Sequence, residues 1–198
     1  MATLAIPTFV DICAAAIHRT VLATTDDGSI NIPQTAGTPL ITIPFQVRLY
    51  GLVAPVPFTV TTNGWLSLAN TTSYEYIPNM PDALVPNALL APLWDDLYTR
   101  VGGVCYGMSG AAPSRRFIVQ WQDAHFCCTD DPLIHLTFEV LINETALGGN
   151  NTFDFIYQRL DGMRNRSLTG IENQTGTGAT QVPGIFAAPV GFRFTYVP

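Results

Sequence analysis

The chain has 198 residues, 47% of them apolar and only 12% charged, with a formal net charge of −6. That length and apolar share suit one domain with a sizeable core, while the acidic balance argues against general nucleic-acid binding, which needs a basic stripe. No apolar run reaches the ~18 residues of a membrane-spanning helix, and no signal peptide is visible at the N-terminus.

In chain order, the first ~30 residues are expected to add an edge strand or to pair with the C-terminal strand. A short helical piece is expected at Ala14 to His18, followed by a turn signal at Asp26-Asp27-Gly28. Period-two alternation then takes over. Phe45, Val47 and Leu49 share one face, with Gln46 and Arg48 opposite. Phe58 and Val60 alternate with Thr59 and Thr61, and Asn63-Gly64 separates that run from Trp65 to Leu68, a strong hairpin signal. Ile77 to Asn87 holds Pro78, Pro81 and Pro86 and reads as a loop, with a helical piece within Ala83 to Leu90. Gly102-Gly103 reads as a turn.

The second half is more regular. Phe117, Val119 and Trp121 alternate with Ile118, Gln120 and Gln122. Leu136, Phe138, Val140 and Ile142 alternate with His135, Thr137, Glu139 and Leu141. Phe153, Phe155 and Tyr157 alternate with Asp154, Ile156 and Gln158, and Phe192, Phe194 and Tyr196 with Arg193 and Thr195. Gly148-Gly149-Asn150 and Asp161-Gly162 supply turns. Strands with one apolar face need a second sheet to cover them. The expected fold is therefore all-β: a single antiparallel β-sandwich over residues 1–198, jelly-roll-like, with at most short helical turns. All nine basic residues are arginine. Without lysine, sheet edges must rely on Pro, Gly, Asp and Arg, or on cover by a partner.

Four cysteines, Cys13, Cys105, Cys127 and Cys128, allow three complete pairings. Their even number and scatter suit disulfides in an oxidising compartment, with buried thiols as the alternative. Adjacent Cys127 and Cys128 are not expected to bond each other. On a strand they would face opposite ways, leaving one to meet Cys13 and the other Cys105 as one arrangement.

No motif of hydrolytic or phosphoryl chemistry is present: neither a Gly-X-Ser-X-Gly elbow, nor His-Glu-X-X-His, nor a phosphate loop. Asp95 and Asp96 form the sharpest polar pair. With Glu172 they offer hard oxygens suited to calcium, while the plain alternative is a carboxylate closing a turn. His125, Cys127 and Cys128 are of the types that bind zinc, but a structural site needs four ligands, and His18 and His135 are far away in sequence. A glycosidase pair would need two acids across a cleft, which the sequence does not place for Asp95, Asp96, Glu139 or Glu172. Trp65, Trp94 and Trp121 are expected in the core. Tyr74, Tyr76 and Tyr98 lie in loop-rich stretches and are the candidates for stacking on sugar rings. Asp130-Asp131 reads as a solvated turn, and sequons begin at Asn70, Asn143, Asn150, Asn165 and Asn173.

Five blocks, taken in order, resemble the nidogen-type (NIDO-related) β-sandwich modules of secreted bacterial, often myxobacterial, proteins. They are Leu49-Tyr50-Gly51 leading to Thr62-Asn63-Gly64-Trp65-Leu66, then Ala91-Pro92-Leu93-Trp94-Asp95-Asp96-Leu97, Pro113 to Trp121, Thr137 to Leu141, and Gly170-Ile171-Glu172-Asn173. Together they span roughly residues 40 to 175. His125 to Asp131 is an insertion relative to that pattern. The resemblance implies a non-catalytic, extracellular module. The resulting expectation is a structural or interaction module acting in adhesion or assembly at the cell surface, without a required cofactor and with calcium as an option. Its partners would be proteins or its own copies. The alternatives are a subunit of a filament, surface layer or virion coat, and a carbohydrate-binding domain.

Overall fold

The alternating runs become two facing sheets. In the computed structural model, residues 2–3, 8–14, 26–27, 29–32, 43–54, 58–69, 71, 73–128 and 133–197 are described, and none of them is helical. The strands are β1 (Ala2–Thr3), β2 (Ser29–Ile32), β3 (Arg48–Leu49), β4 (Leu52–Val53), β5 (Phe58–Thr61), β6 (Leu66–Ser67) and β7 (Leu89–Trp94), then β8 (Leu97–Ser109), β9 (Arg116–Phe126), β10 (Leu136–Asn143), β11 (Phe153–Leu160), β12 (Leu168–Glu172), β13 (Ala179–Gln181) and β14 (Val190–Phe194). One sheet has the order β1-β14-β11-β10-β9-β8, the other β13-β12-β7-β6-β5-β2, and β3-β4 is a separate hairpin. The architecture is the expected all-β sandwich. Its connectivity is meander-like: β8 to β11 follow one another in one sheet, and β5 to β7 in the other.

The core lies where the alternation puts it. Phe117, Val119 and Trp121 of β9, Phe138 and Val140 of β10, and Phe155 of β11 pack against Phe58, Val60, Leu66 and Leu90 of the facing sheet. Trp121 stacks on Phe138 at 5.1 Å between centroids, and its indole N–H donates across the sandwich to the Thr61 carbonyl at 2.8 Å. Each such side chain contributes about 1.5–3 kcal/mol by burial alone.

The outer face of the first sheet is also covered. Ile118, Leu141, Ile156 and Cys105 form a second apolar cluster, closed by Phe9, Val10, Ile12 and Cys13 of an irregular N-terminal strap. A strap without a ladder must find acceptors for its amides elsewhere. Gln120 Oε1 accepts from the amides of Ile12 (2.8 Å) and Cys13 (3.2 Å), and Glu139 Oε1 accepts from Val10 (3.1 Å). A Cys13–Cys105 disulfide, with Cα atoms 5.4 Å apart, fastens the strap. Ahead of it, Ala2 and Thr3 pair with Arg193 and Phe192, the C-terminal pairing expected from sequence.

Several local expectations change. Gly102-Gly103 is not a turn. Strand β8 runs through it, and a register shift between Thr99 and Gly103 absorbs the irregularity. The helical piece within Ala83 to Leu90 does not form, because Pro86 and the positive φ of Ala88 (56°) break it and β7 begins at Leu89. Pro92 sits in β7, between β6 and β12. Such a position is disfavoured for a residue with no amide hydrogen. Strand β12 shifts register between Leu168 and Gly170, and the Pro92 carbonyl takes hydrogen bonds from Thr169 Oγ1 (2.7 Å) and the Tyr157 hydroxyl. Gly28, His18 and the rest of 15–18, Asn70, Asp130 and Asp131 lie outside the described residues.

The Asn63-Gly64 hairpin forms as expected, pairing Thr59 with Ser67 and Val60 with Leu66. It is buried rather than solvated. Gly64 has φ +72°, and a Cβ there would overlap the Leu93 carbonyl oxygen. Gly64→Ala is therefore expected to cost about 3 kcal/mol or more, through both the backbone and the clash. Urea unfolding of the two proteins checks this, and a loss under 1 kcal/mol would count against the buried turn.

Candidate functional site

Strand β7 belongs to one sheet and β8 to the other, so the chain crosses the sandwich at Asp95-Asp96. The Asn63 turn is seated under this crossing. Asn63 is fully buried. Its Oδ1 accepts from the Leu97 amide (2.9 Å), and its Nδ2 donates to the Tyr74 carbonyl (2.7 Å) and to Asp27 Oδ1 (3.0 Å). Asp95 is buried as well. It accepts from the Asp96 amide (2.8 Å) and Ser167 Oγ (2.6 Å) and pairs with Arg166 Nε at 2.8 Å. Its charge is spent on holding the loop between β11 and β12 to the crossing.

Asp96 faces a different set. A carboxylate oxygen from each of Asp26, Asp27 and Asp96 lies within 4.8 Å of the others. Burial, followed by repulsion from Asp26 and Asp27, pushes the Asp96 carboxyl above its ordinary value. Burial and then Asp27 do the same to Asp26. Three carboxylates supply part of the six to eight oxygens that calcium takes. Glu172 is not among them. Ile171 pairs with Leu90, so Glu172 lies beside the start of β7, roughly 20 Å along the strand from Asp95. There its Oε2 accepts from the Asp82 amide at 3.0 Å. The expected set Asp95, Asp96 and Glu172 is therefore not one calcium site, because β7 separates its members.

The register then brings other candidates to the crossing. Tyr98 pairs with His125 and Leu97 with Phe126, and the Cys127 amide donates to the Asp96 carbonyl at 2.7 Å. Cys127 and Cys128 are joined to each other, against expectation. The strand ends at Phe126, and Cys128 has φ +66°, so the two side chains do not alternate as they would on a strand. Asp123 also has a positive φ (52°), at a bulge where Trp121 and Ala124 both face the core. That bulge leaves Asp123 and His125 on the outer face. Leu136 pairs with Ala124, which brings His135 beside His125 with ring centroids 5.2 Å apart. His135 Nδ1 lies 2.5 Å from Asp123 Oδ1, and His125 Nε2 lies 3.8 Å from Asp123 Oδ2.

Sequence reasoning singled out Asp96, Tyr98, His125, Cys127 and Cys128, and the structure gathers them at one end. It missed Asp26, Asp27, Asp123 and His135 as site members. The available signal was Asp123-Ala124-His125 in one strand with His135 directly before the next. Tyr74 and Tyr76 are exposed on a loop fixed by the indoles of Trp65 and Trp94, which both donate to the Glu75 carbonyl (2.8 and 2.9 Å). Tyr98 instead packs on His125 at 5.6 Å, and among the described residues no ring contact joins it to Tyr74 or Tyr76. Glu139 lies beneath the N-terminal strap rather than across a cleft. All three tryptophans are buried. The Asn143 amide is engaged with Thr152 and Asp154.

A family model described as NIDO related matches residues 8–196, and the chain belongs to the NIDO-related family. The match extends beyond the five blocks at both ends, taking in the strap and β14. No curated protein and no solved structure matched the chain.

Burial lifts the Glu139 carboxyl from its ordinary 4.5 to about 8; nearby Asp11 adds to this, while the Val10 amide and Arg116 oppose it. Burial likewise lifts Glu172 to about 7. Both groups bind more protons in the fold than in the unfolded chain between these values, so the stability these two groups contribute is full below pH 4.5 and is lost as pH rises towards 8. Denaturant unfolding across that range is expected to show the decline. Glu139→Gln should flatten it and raise stability at pH 8 by on the order of 2 kcal/mol.

Proposed function

We propose that this NIDO-related domain is a non-catalytic interaction module that works outside the cell or on a surface, in adhesion or assembly. The observation that carries the reading is a rigid apolar rim. Ile77 (61% exposed), Leu84 (74%) and Val85 (72%) line one groove of about 260 Å³ with Trp94 at its base. Large aliphatic side chains on a firmly held loop are the signature of a contact surface, because their exposure is unfavourable until something covers them. The loop is already ordered: Trp65 and Trp94 hold Glu75, and Glu172 holds Asp82. A partner would therefore bind without first fixing the backbone. The buried acids support the non-catalytic part. Asp95, Asp154 and Glu172 each hold a neighbouring segment rather than opening into a cleft. The Cys13–Cys105 disulfide suits an oxidising compartment.

A subunit role in an ordered assembly is favoured by one further feature. Among the described residues, strand β8, 13 residues long, is the outer strand of its sheet and is bridged on its outer side by Asp26 at Tyr98, in a chain without the lysines that commonly guard such edges.

Sedimentation velocity over a wide concentration range tests the reading. Association that disappears in Leu84→Asp with Val85→Asp, while the thermal midpoint moves by no more than about 2 °C, is the expected result. A single monomeric species at every concentration, identical in both proteins, would remove self-assembly through this rim. Glycan-array binding that is lost when Tyr74 and Tyr76 are replaced by alanine would favour a carbohydrate ligand instead. Four free thiols in mass spectrometry of protein recovered from its source would overturn the oxidising compartment.

A further inference from the structure

We infer that Asp123, His125 and His135 form a binding site for a borderline divalent transition-metal ion such as Zn²⁺. One ligand atom from each lies within 4.8 Å of the other two. Tetrahedral coordination at bonds of about 2.0–2.1 Å brings ligand atoms to roughly 3.4 Å apart, within reach of side-chain rotation here. Two imidazoles and one carboxylate are the donor types such ions favour over calcium or magnesium.

The backbone supports the arrangement. His125 and His135 are cross-strand neighbours on β9 and at the entry to β10, and the bulge at Asp123 turns the carboxylate to the same face. Sites placed on paired strands hold their ligands more firmly than sites on loops. His125 is buried, with the Tyr98 ring beside it, while His135 and Asp123 are 28% and 29% exposed. The site is therefore walled on one side and open on the other, which gives an ion a route in. Three protein ligands leave a coordination position for water or for a group on a second molecule. The Asp26, Asp27 and Asp96 carboxylates cluster beside the start of β8, whose Tyr98 pairs with His125, and add a local negative field that attracts cations. Within the protein alone, His135 Nδ1 and Asp123 Oδ1 are 2.5 Å apart. A metal ion would take the place of the proton in that contact.

The test uses the full chain with its disulfides intact, stripped by a chelator and titrated with Zn²⁺ and with Co²⁺. One equivalent is expected to bind, with visible Co²⁺ bands and movement of both the His125 and His135 ring signals in NMR. His135→Ala should weaken Zn²⁺ binding by about tenfold or more, and Asp123→Asn by a similar factor. Asp96→Asn should change it by less than about threefold, and millimolar calcium should not compete. Circular dichroism establishes that the variants are folded. Asp123→Asn is nearly isosteric and serves if His135→Ala does not fold. The proposal falls if no Zn²⁺ binds, if the two ring signals stay put while metal binds elsewhere, or if folded His135→Ala and Asp123→Asn bind as tightly as the parent. In any of those cases the His135–Asp123 contact is a structural hydrogen bond only.

Discussion

The buried amide of Asn63 is the contact on which the rest of the molecule depends. It sits where water cannot replace a lost partner, and it makes three hydrogen bonds to three separate segments: the start of β8, the loop at Tyr74, and Asp27. Leaving one such buried group unsatisfied costs about 1–3 kcal/mol. Gly64 follows it in a left-handed conformation, pressed against Leu93, whose amide donates back to the Gly64 carbonyl at 3.2 Å. The turn is thus a fastening for the place where the chain passes from one sheet to the other. The position of Asp96, the start of β8 and the pairing of Tyr98 with His125 follow from it.

Much of the fold was legible because alternation reports burial directly. Phe117, Val119 and Trp121 face the core as their spacing implies, and Asn63-Gly64 joins two strands as that dipeptide implies. The misplaced Gly102-Gly103 turn and the covered outer face share one cause: local signals overridden by longer-range packing. Gly102-Gly103 lies in a strand because pairing with β9 on either side holds the chain extended. Ile118, Leu141 and Ile156 occupy what reads as a solvent face because a strap from more than 90 residues away covers them. Gln120 and Glu139, the polar half of the same alternation, are the strap's acceptors. No local window contains both halves of that arrangement.

The candidate site was legible in its parts but not in its grouping. Asp95 and Asp96 looked like partners because they are adjacent, yet one is turned inward to Arg166 and Ser167 and the other outward to Asp26 and Asp27. His135 looked remote from His125 because ten positions separate them, although they stand side by side at the start of a strand pair. A bulge changes which residues share a face, and it leaves little trace in a single sequence. Asp123 was hidden for that reason. The NIDO-related assignment, resting on residues 8–196, agrees with a scaffold whose named blocks are mostly interior, Pro113 to Arg116 being the largely exposed lead-in to β9.

The strap also has a mechanical meaning. Antiparallel β1 and β14 are joined at Ala2 and Thr3 with Arg193 and Phe192, so a pull on the N-terminal end loads those bonds one at a time, as a zipper does. The amides at Val10, Ile12 and Cys13 come next. Beyond them the tension meets a covalent bond to Cys105 in β8, 92 residues further along. Force is thereby diverted from the thread of the chain into an outer strand of the first sheet. Peeling stops there, and the segment of chain between Cys13 and Cys105 is bypassed by the load for as long as that bond is kept oxidised.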